Sequence, residues 1–246
     1  MIDNIREIHK KGECMNRKIK KMLSCFLSVI MVLLFSVTAM ASSTTNYAPT
    51  PLFIEMCSKF FSDTSTYNAL DKNGNDVTQR FYNAHISEYR SSNYEALMDA
   101  FIAELSAFRW KSEDSTTTAS AGDSSRIIYN RTVTDDFYGV ATSTHMSNKT
   151  ADFVYTISGD YAVSDGSNQI ISYGEAELNI DFSDPGALFS IESTNIKTRA
   201  STNTAKTKVD FSASFKVNLS YSEKYTGITL WTDTSGPFSN KVSGSV

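Results

Sequence analysis

The sequence predicts an α+β protein that is mainly β, with an N-terminal helical segment followed by an antiparallel meander of about six long strands forming a curved sheet or open barrel. Three observations carry this expectation. Apolar residues recur every three or four positions between Phe53 and Phe108, the period of a helix face. From Ala205 to Tyr221 they alternate with polar residues without a break, the period of a strand with one wet face. Clusters such as Ser164-Asp165-Gly166-Ser167-Asn168 and Ser183-Asp184-Pro185-Gly186 separate the later apolar runs and suit tight turns.

Residues 1–14 read as an upstream extension that is not translated. They place Asp3, Glu7 and Glu13 ahead of a basic run and offer nothing apolar enough to insert in a membrane. Lys10-Lys11-Gly12-Glu13 back-translates to a purine-rich stretch that can contain AAGGAG, a bacterial ribosome-binding sequence, just before the Met15 codon. Met15 is therefore the expected start, and a bacterium the expected source. Residues 15–41 have the anatomy of a signal peptide. Arg17-Lys18-Ile19-Lys20-Lys21 is basic, Met22 to Val37 is apolar, and Ala39-Met40-Ala41 precedes Ser42. Small side chains at Ala39 and Ala41 fit a peptidase that excludes bulky ones, so cleavage is expected between Ala41 and Ser42. The alternative is an uncleaved membrane anchor, because the apolar stretch approaches the ~20 residues a spanning helix needs. Cys25 lies too early in that stretch for a lipoprotein.

Residues 42–110 form the expected helical region. Ser42 to Pro51 is a polar leader. Phe53, Cys57, Phe60 and Phe61 then predict a short helix, and Thr66 to Asp71 a short strand. Asp71-Lys72-Asn73-Gly74-Asn75 is a turn in which Gly74 supplies a positive φ. Val77, Phe81, Ala84 and Ile86 start a second helix, with Asp76 or Thr78 able to cap its free amides, and Ser91-Ser92-Asn93 ends it. Tyr94, Leu97, Met98, Phe101, Ile102, Leu105 and Phe108 predict a third helix that runs to Trp110.

Residues 111–125 are rich in Ser, Thr, Ala and Asp without apolar periodicity and read as a linker. Residues 126–246 form the expected β domain. Its strands are Ile127–Phe137, Phe153–Val163, Ile171–Phe182 with a bulge near Gly174, Leu188–Arg199, Ala205–Tyr221 and Ile228–Trp231.

Composition narrows the function. Without residues 1–41 the chain keeps 16 of 23 Lys and Arg and 24 of 27 Asp and Glu, a net charge of −8. Such a surface repels nucleic acid and anionic lipid at long range, so no nucleic-acid partner is expected. Cys57 alone of the three cysteines survives, which leaves no internal disulfide. It reads as a buried small hydrophobe rather than a nucleophile, since no His or basic residue stands beside it.

Chemistry-bearing residues are sparse. His85 and His145 show no metal-ligand spacing and read as surface imidazoles, so neither a metal nor another cofactor is expected. Asp71 to Asp76 has the oxygen density of a calcium loop, but glycine falls at its fourth position and Tyr82 at its twelfth, so a turn and a helix cap explain it better. Glu175 and Glu177 share one side of a strand and could in principle do acid–base work on glycosides, yet Ala176, Leu178 and Ile180 claim the buried face and leave both glutamates in water. No catalytic constellation emerges.

The expected function is that of an exported, noncatalytic binding or interaction protein at or beyond the cell envelope, secreted, with an unknown extracellular or envelope ligand. No stable membrane insertion is expected after cleavage. Tyr129, Tyr138, Tyr155, Tyr161, Tyr173, Tyr221 and Tyr225 lie in or near strands, where they fill a core or stack on a sugar. Two alternatives stand beside this one. The long alternation of Ala205–Tyr221 resembles a barrel-forming hairpin of a membrane-active protein. A secreted hydrolase would need Glu, Asp or His gathered from separate strands.

Overall fold

Thr50 and Pro51 set the first helix. The computed structural model describes residues 47–112, 114–120, 127–146, 149–183 and 188–246. The expected signal peptide and its cleavage site at Ala39, Ala41 and Ser42 lie outside the described residues. Helix α1 spans Pro51–Ser62; the Thr50 hydroxyl accepts from the Phe53 amide at 3.1 Å, and Pro51 occupies the first turn, where its missing N–H costs nothing. Helix α2, Thr78–Arg90, begins where the Asp76 carboxylate accepts from the Thr78 amide at 2.9 Å. Helix α3, Tyr94–Glu104, is capped by Asn93, which accepts from the Ala96 amide at 3.3 Å.

Ten strands accompany these helices among the described residues. They are β1 (Tyr67–Asp71), β2 (Leu105–Lys111), β3 (Ser115–Ser120), β4 (Ile127–Thr142), β5 (Thr150–Ser164), β6 (Gln169–Tyr173), β7 (Glu177–Phe182), β8 (Phe189–Thr202), β9 (Lys208–Ser222) and β10 (Thr229–Ser245). The mainly β, antiparallel class expected from the sequence is what forms. Both sheets are open rather than closed into a barrel. One runs β1-β2-β4-β5-β6, with β3 added on β4 and β7 on β5; the other is the meander β8-β9-β10.

The seven-stranded sheet is the middle of three layers. On β4, Val133, Phe137 and Ala141 point to a core shared with the three-stranded sheet, whereas Tyr138 and Val140 point to a second core under the helices. The helical core joins Phe53, Phe60 and Phe81 with Leu97, Phe101 and Phe108. The inner face of β9, Val209 to Leu219 in steps of two, is buried against the seven-stranded sheet. Each of these side chains larger than Ala213 contributes roughly 1.5–3 kcal/mol by leaving water. The apolar face that resembled a barrel hairpin is thus spent on the core.

Close approach of the sheets depends on two glycines. A Cβ on Gly159 of β5 would stand 2.2 Å from the Phe211 ring, and one on Gly244 of β10 would stand 2.5 Å from the Tyr161 ring. At its far end β10 is tied to β4, because the Ser235 hydroxyl accepts from the Thr142 amide and donates to its carbonyl, both at 2.9 Å. Both outer strands of the small sheet are kinked: β8 slips register between Thr194 and Lys197, and β10 between Ser235 and Phe238.

Four elements differ from the sequence expectation. The predicted third helix stops at Glu104, and Leu105 to Lys111 is strand β2. Ser115–Ser120, read as linker, pairs with β4 as β3. The single bulged strand near Gly174 is two strands, β6 and β7, each paired to β5. The last strand continues past Trp231 to Ser245. The structure therefore has more strands than the six or so that the pattern suggested.

Candidate functional site

Where β1, β2 and β4 of the large sheet face β10 of the small one, a groove of about 690 Å³ opens. Register explains its lining. Ala107 faces the inter-sheet core, so Arg109 and Lys111, two and four residues on, share that face. Lys111 stands opposite Asp135 of β4, and Arg109 opposite both Asn68 of β1 and Phe137 of β4. Arg109 donates to the Asn68 side-chain oxygen at 3.1 Å. From the other side come Asn240, whose amide donates to the Tyr155 hydroxyl, and Lys241. Asp135 is the one carboxylate among the lining residues. Burial pushes its carboxyl above the usual range, against the pull of the Arg109 and Lys111 charges.

The groove can therefore offer a ligand the Arg109 guanidinium, amides and hydroxyls over a small apolar floor of Leu70, Val133 and Val242, while Lys111 is paired with Asp114 at 2.5 Å and Lys241 with Asp210 at 3.3 Å. Retaining and inverting glycosidases both need two carboxyl groups across the scissile bond, and this lining supplies one. The arrangement suits recognition of a polar solute.

A second polar cluster sits at the other end of β10. Asp233 is 5 % exposed and is the hub of the 143–146 segment. It accepts from the Ser143 hydroxyl at 2.6 Å, the Thr144 amide at 3.0 Å and hydroxyl at 2.6 Å, and the His145 amide at 3.2 Å, with His145 Nδ1 at 2.7 Å. Burial alone would raise this carboxyl; the bonds from Ser143, Thr144 and His145 outweigh it and hold it well below the usual carboxylate range. Ser, His and Asp meet here, but the carboxylate stands in the centre. In a nucleophilic triad the imidazole bridges serine and carboxylate, whereas here the Ser143 hydroxyl donates its hydrogen bond directly to Asp233. The cluster clamps a loop.

No family model, no curated protein and no solved structure matches the chain.

Above the clamp, His145 stacks on Trp231 with centroids 5.5 Å apart, and Trp231 on Tyr221 at 5.6 Å. Phe189 meets both Tyr221 and Trp231, and the Lys149 ammonium lies 4.4 Å above the Phe189 ring. These rings spend their faces on one another rather than on a ligand.

The other residues singled out from sequence are not brought together. Cys57 is buried under the helices, where desolvation pushes its thiol far up, which leaves no thiolate to react. His85, expected on the surface, is instead 15 % exposed, packed 4.6 Å from the Phe81 ring and bonded to Glu104 at 3.1 Å. Asp71 spends its oxygens inside its own turn, accepting from the Asn73 and Asn75 amides at 2.8 and 2.9 Å. Glu175 and Glu177 are exposed, as expected, with Glu175 ahead of β7 and Glu177 at its start. Among the tyrosines, Tyr138, Tyr155 and Tyr161 fill cores, while Tyr173 and Tyr225 are exposed. Sequence reasoning missed Arg109, Lys111 and Asp135. A signal for one of them existed: Asp135 falls between Val133 and Phe137 at the parity of a buried face.

Proposed function

We infer that the protein is an exported, noncatalytic binding protein acting at or beyond the bacterial cell envelope, and that it seats a small polar ligand in the groove between β2, β4 and β10. The observation that carries this reading is the convergence of Arg109, Lys111 and Asp135 with Asn68 and Asn240 in one cleft. Arg109 and Asp135 are half-buried at a parity otherwise used for packing, and a ligand that takes the Arg109 donors not spent on Asn68 gives a physical reason to keep a cation there. Export rests on the basic, apolar and small-residue order of residues 15–41.

Isothermal titration with a panel of neutral sugars and sugar acids tests the seat. At least one should bind, and Arg109→Ala should weaken it about tenfold or more with the melting temperature held, as expected for losing one charged hydrogen bond. No heat from any member, or equal binding to the variant, sinks the groove reading. Mass spectrometry of the protein from culture medium tests the address. A mature chain beginning at Ser42 supports it, and retention of the full chain inside the cell refutes it.

A further inference from the structure

The charges of this acidic protein are not evenly spread. Residues 42–187 hold 9 Lys and Arg against 20 Asp and Glu, whereas residues 188–246 hold 7 against 4. One of those four acids, Asp233, is buried in the clamp. The register of β8, β9 and β10 gathers the cations onto one surface. Val209, Phe211, Ala213, Phe215 and Val217 point inward, so Lys208 and Lys216 point outward. Ser212 of β9 stands between Arg199 of β8 and Lys241 of β10, and Lys197 stands opposite Ser214. The bulge between Thr194 and Lys197 makes this possible, because it shifts the parity of β8 and turns Lys197 and Arg199 to the outer side.

Along β9 the outer face therefore presents a cation at the level of positions 208, 212, 214 and 216, and its single interruption is Asp210, which Lys208 and Lys241 already neutralise at 3.1 and 3.3 Å. Same-face positions along a strand are about 7 Å apart, so the track is roughly 27 Å long. Short serine side chains between the cations let an extended chain lie close to the backbone.

We propose that this outer face of the small sheet docks a linear polyphosphate chain, laid along β9 with its anions on Lys216, Lys197, Arg199 and Lys208. The spacing and sign of the track complement a flexible polyanion whose charges recur along a backbone. A bilayer is a poorer match, since between positions 208 and 216 the face carries no large apolar side chain to enter lipid apart from Ile196 in the β8 bulge. A nucleic acid is poorer too, for single-strand binders need rings on which bases stack, and this stretch has none. The acidic remainder of the molecule repels the polymer everywhere else and steers it to this face. The proposal stands apart from the groove and from export.

Long-chain inorganic polyphosphate, titrated into the intact protein and followed by calorimetry, is the probe. Binding should weaken about 100-fold between roughly 50 and 200 mM salt, as release of counterions from about four contacts requires. The triple variant Lys197→Glu, Arg199→Glu, Lys216→Glu should lose binding with its melting temperature unchanged, these being surface positions. An equal charge change among the helices, Lys59→Glu, Arg80→Glu, Arg90→Glu, should bind like the parent or nearly so. Absence of binding at low salt, equal loss in both triple variants, or tighter binding to anionic vesicles or single-stranded DNA than to polyphosphate overturns the proposal.

Discussion

Asp233 shows how one side chain can decide the course of a loop. Its two oxygens take contacts from Ser143, Thr144 and His145, and no apolar residue at that position could order the same segment. Asp233→Ala should cost about 3 kcal/mol, measured by urea unfolding, because buried donors lose a charged acceptor together. The pH dependence has a definite sign. The folded state holds this carboxyl below its unfolded value of about 3.9, so the stabilisation is complete above that value and is lost as pH falls through the folded one. The variant should therefore differ most from the parent near neutral pH and least in strong acid.

Asp152 has the opposite sign. It is 1 % exposed on the helix side of β5, with one oxygen receiving the Thr50 hydroxyl and the other, like the Tyr138 hydroxyl, without a partner among the described residues. Burial raises its carboxyl, against the hydrogen bond from Thr50 and the pull of the neighbouring Tyr138 hydroxyl. The folded state then prefers the protonated form, and stability declines as pH rises from the unfolded value through the raised one. Asp152→Asn keeps an acceptor for Thr50 and removes the charge. Its melting temperature should exceed the parent's near neutral pH and match it in acid; a lower value at neutral pH would show that the charge itself is needed.

At the scale of elements, the inter-sheet seam is the point of least tolerance. Gly159 stands where the Phe211 ring presses on the β5 backbone, and an added methyl would meet that ring at 2.2 Å. Gly159→Ala should destabilise by about 1–3 kcal/mol through overpacking. Gly159→Ala with Phe211→Leu should recover part of the loss in a double-mutant cycle, and strict additivity would place the strain elsewhere.

Legibility of the fold followed the same contrast between simple and mixed faces. The inner residues of β9 were readable because one face is apolar and the other wet. Strand β2 was not, because both its faces are covered: Ala107 enters one core and Phe108 the other. A strand buried on two sides loses its alternation, and the spacing of Phe101, Leu105 and Phe108 then fits a helix as well. Strand β10 hid for another reason. Its inward positions include Asp233, Asn240 and Gly244, a carboxylate, an amide and a residue without a side chain, so no apolar rhythm marks them. The groove was obscured by the same misreading, since Arg109 and Lys111 acquire their direction only once β2 is a strand.

For the whole molecule, the middle sheet makes the layers depend on one another. Strands β2, β4 and β5 each contribute to both cores, so if either the helices or the small sheet leaves, it bares one face of strands whose other face is still packed. One cooperative transition should result. The chain's two tryptophans report opposite sides, Trp110 by the helical core and Trp231 on β10. Followed separately in Trp110→Phe and Trp231→Phe variants, their emission should give coincident midpoints, as two-state unfolding demands. Separated midpoints would mean that the layers come apart in turn.

The kinks in β8 and β10 have a consequence for crowding. A three-stranded sheet has two rims, and an unpaired rim invites another chain to continue it. Here one rim is bent at Thr194–Lys197 beside two cations, and the other carries Pro237, which lacks an N–H, and is tethered to β4 through Ser235. A second copy arriving edge-on meets broken ladders and like charge. Neither rim of this sheet offers a second copy the unbroken ladder that edge pairing needs.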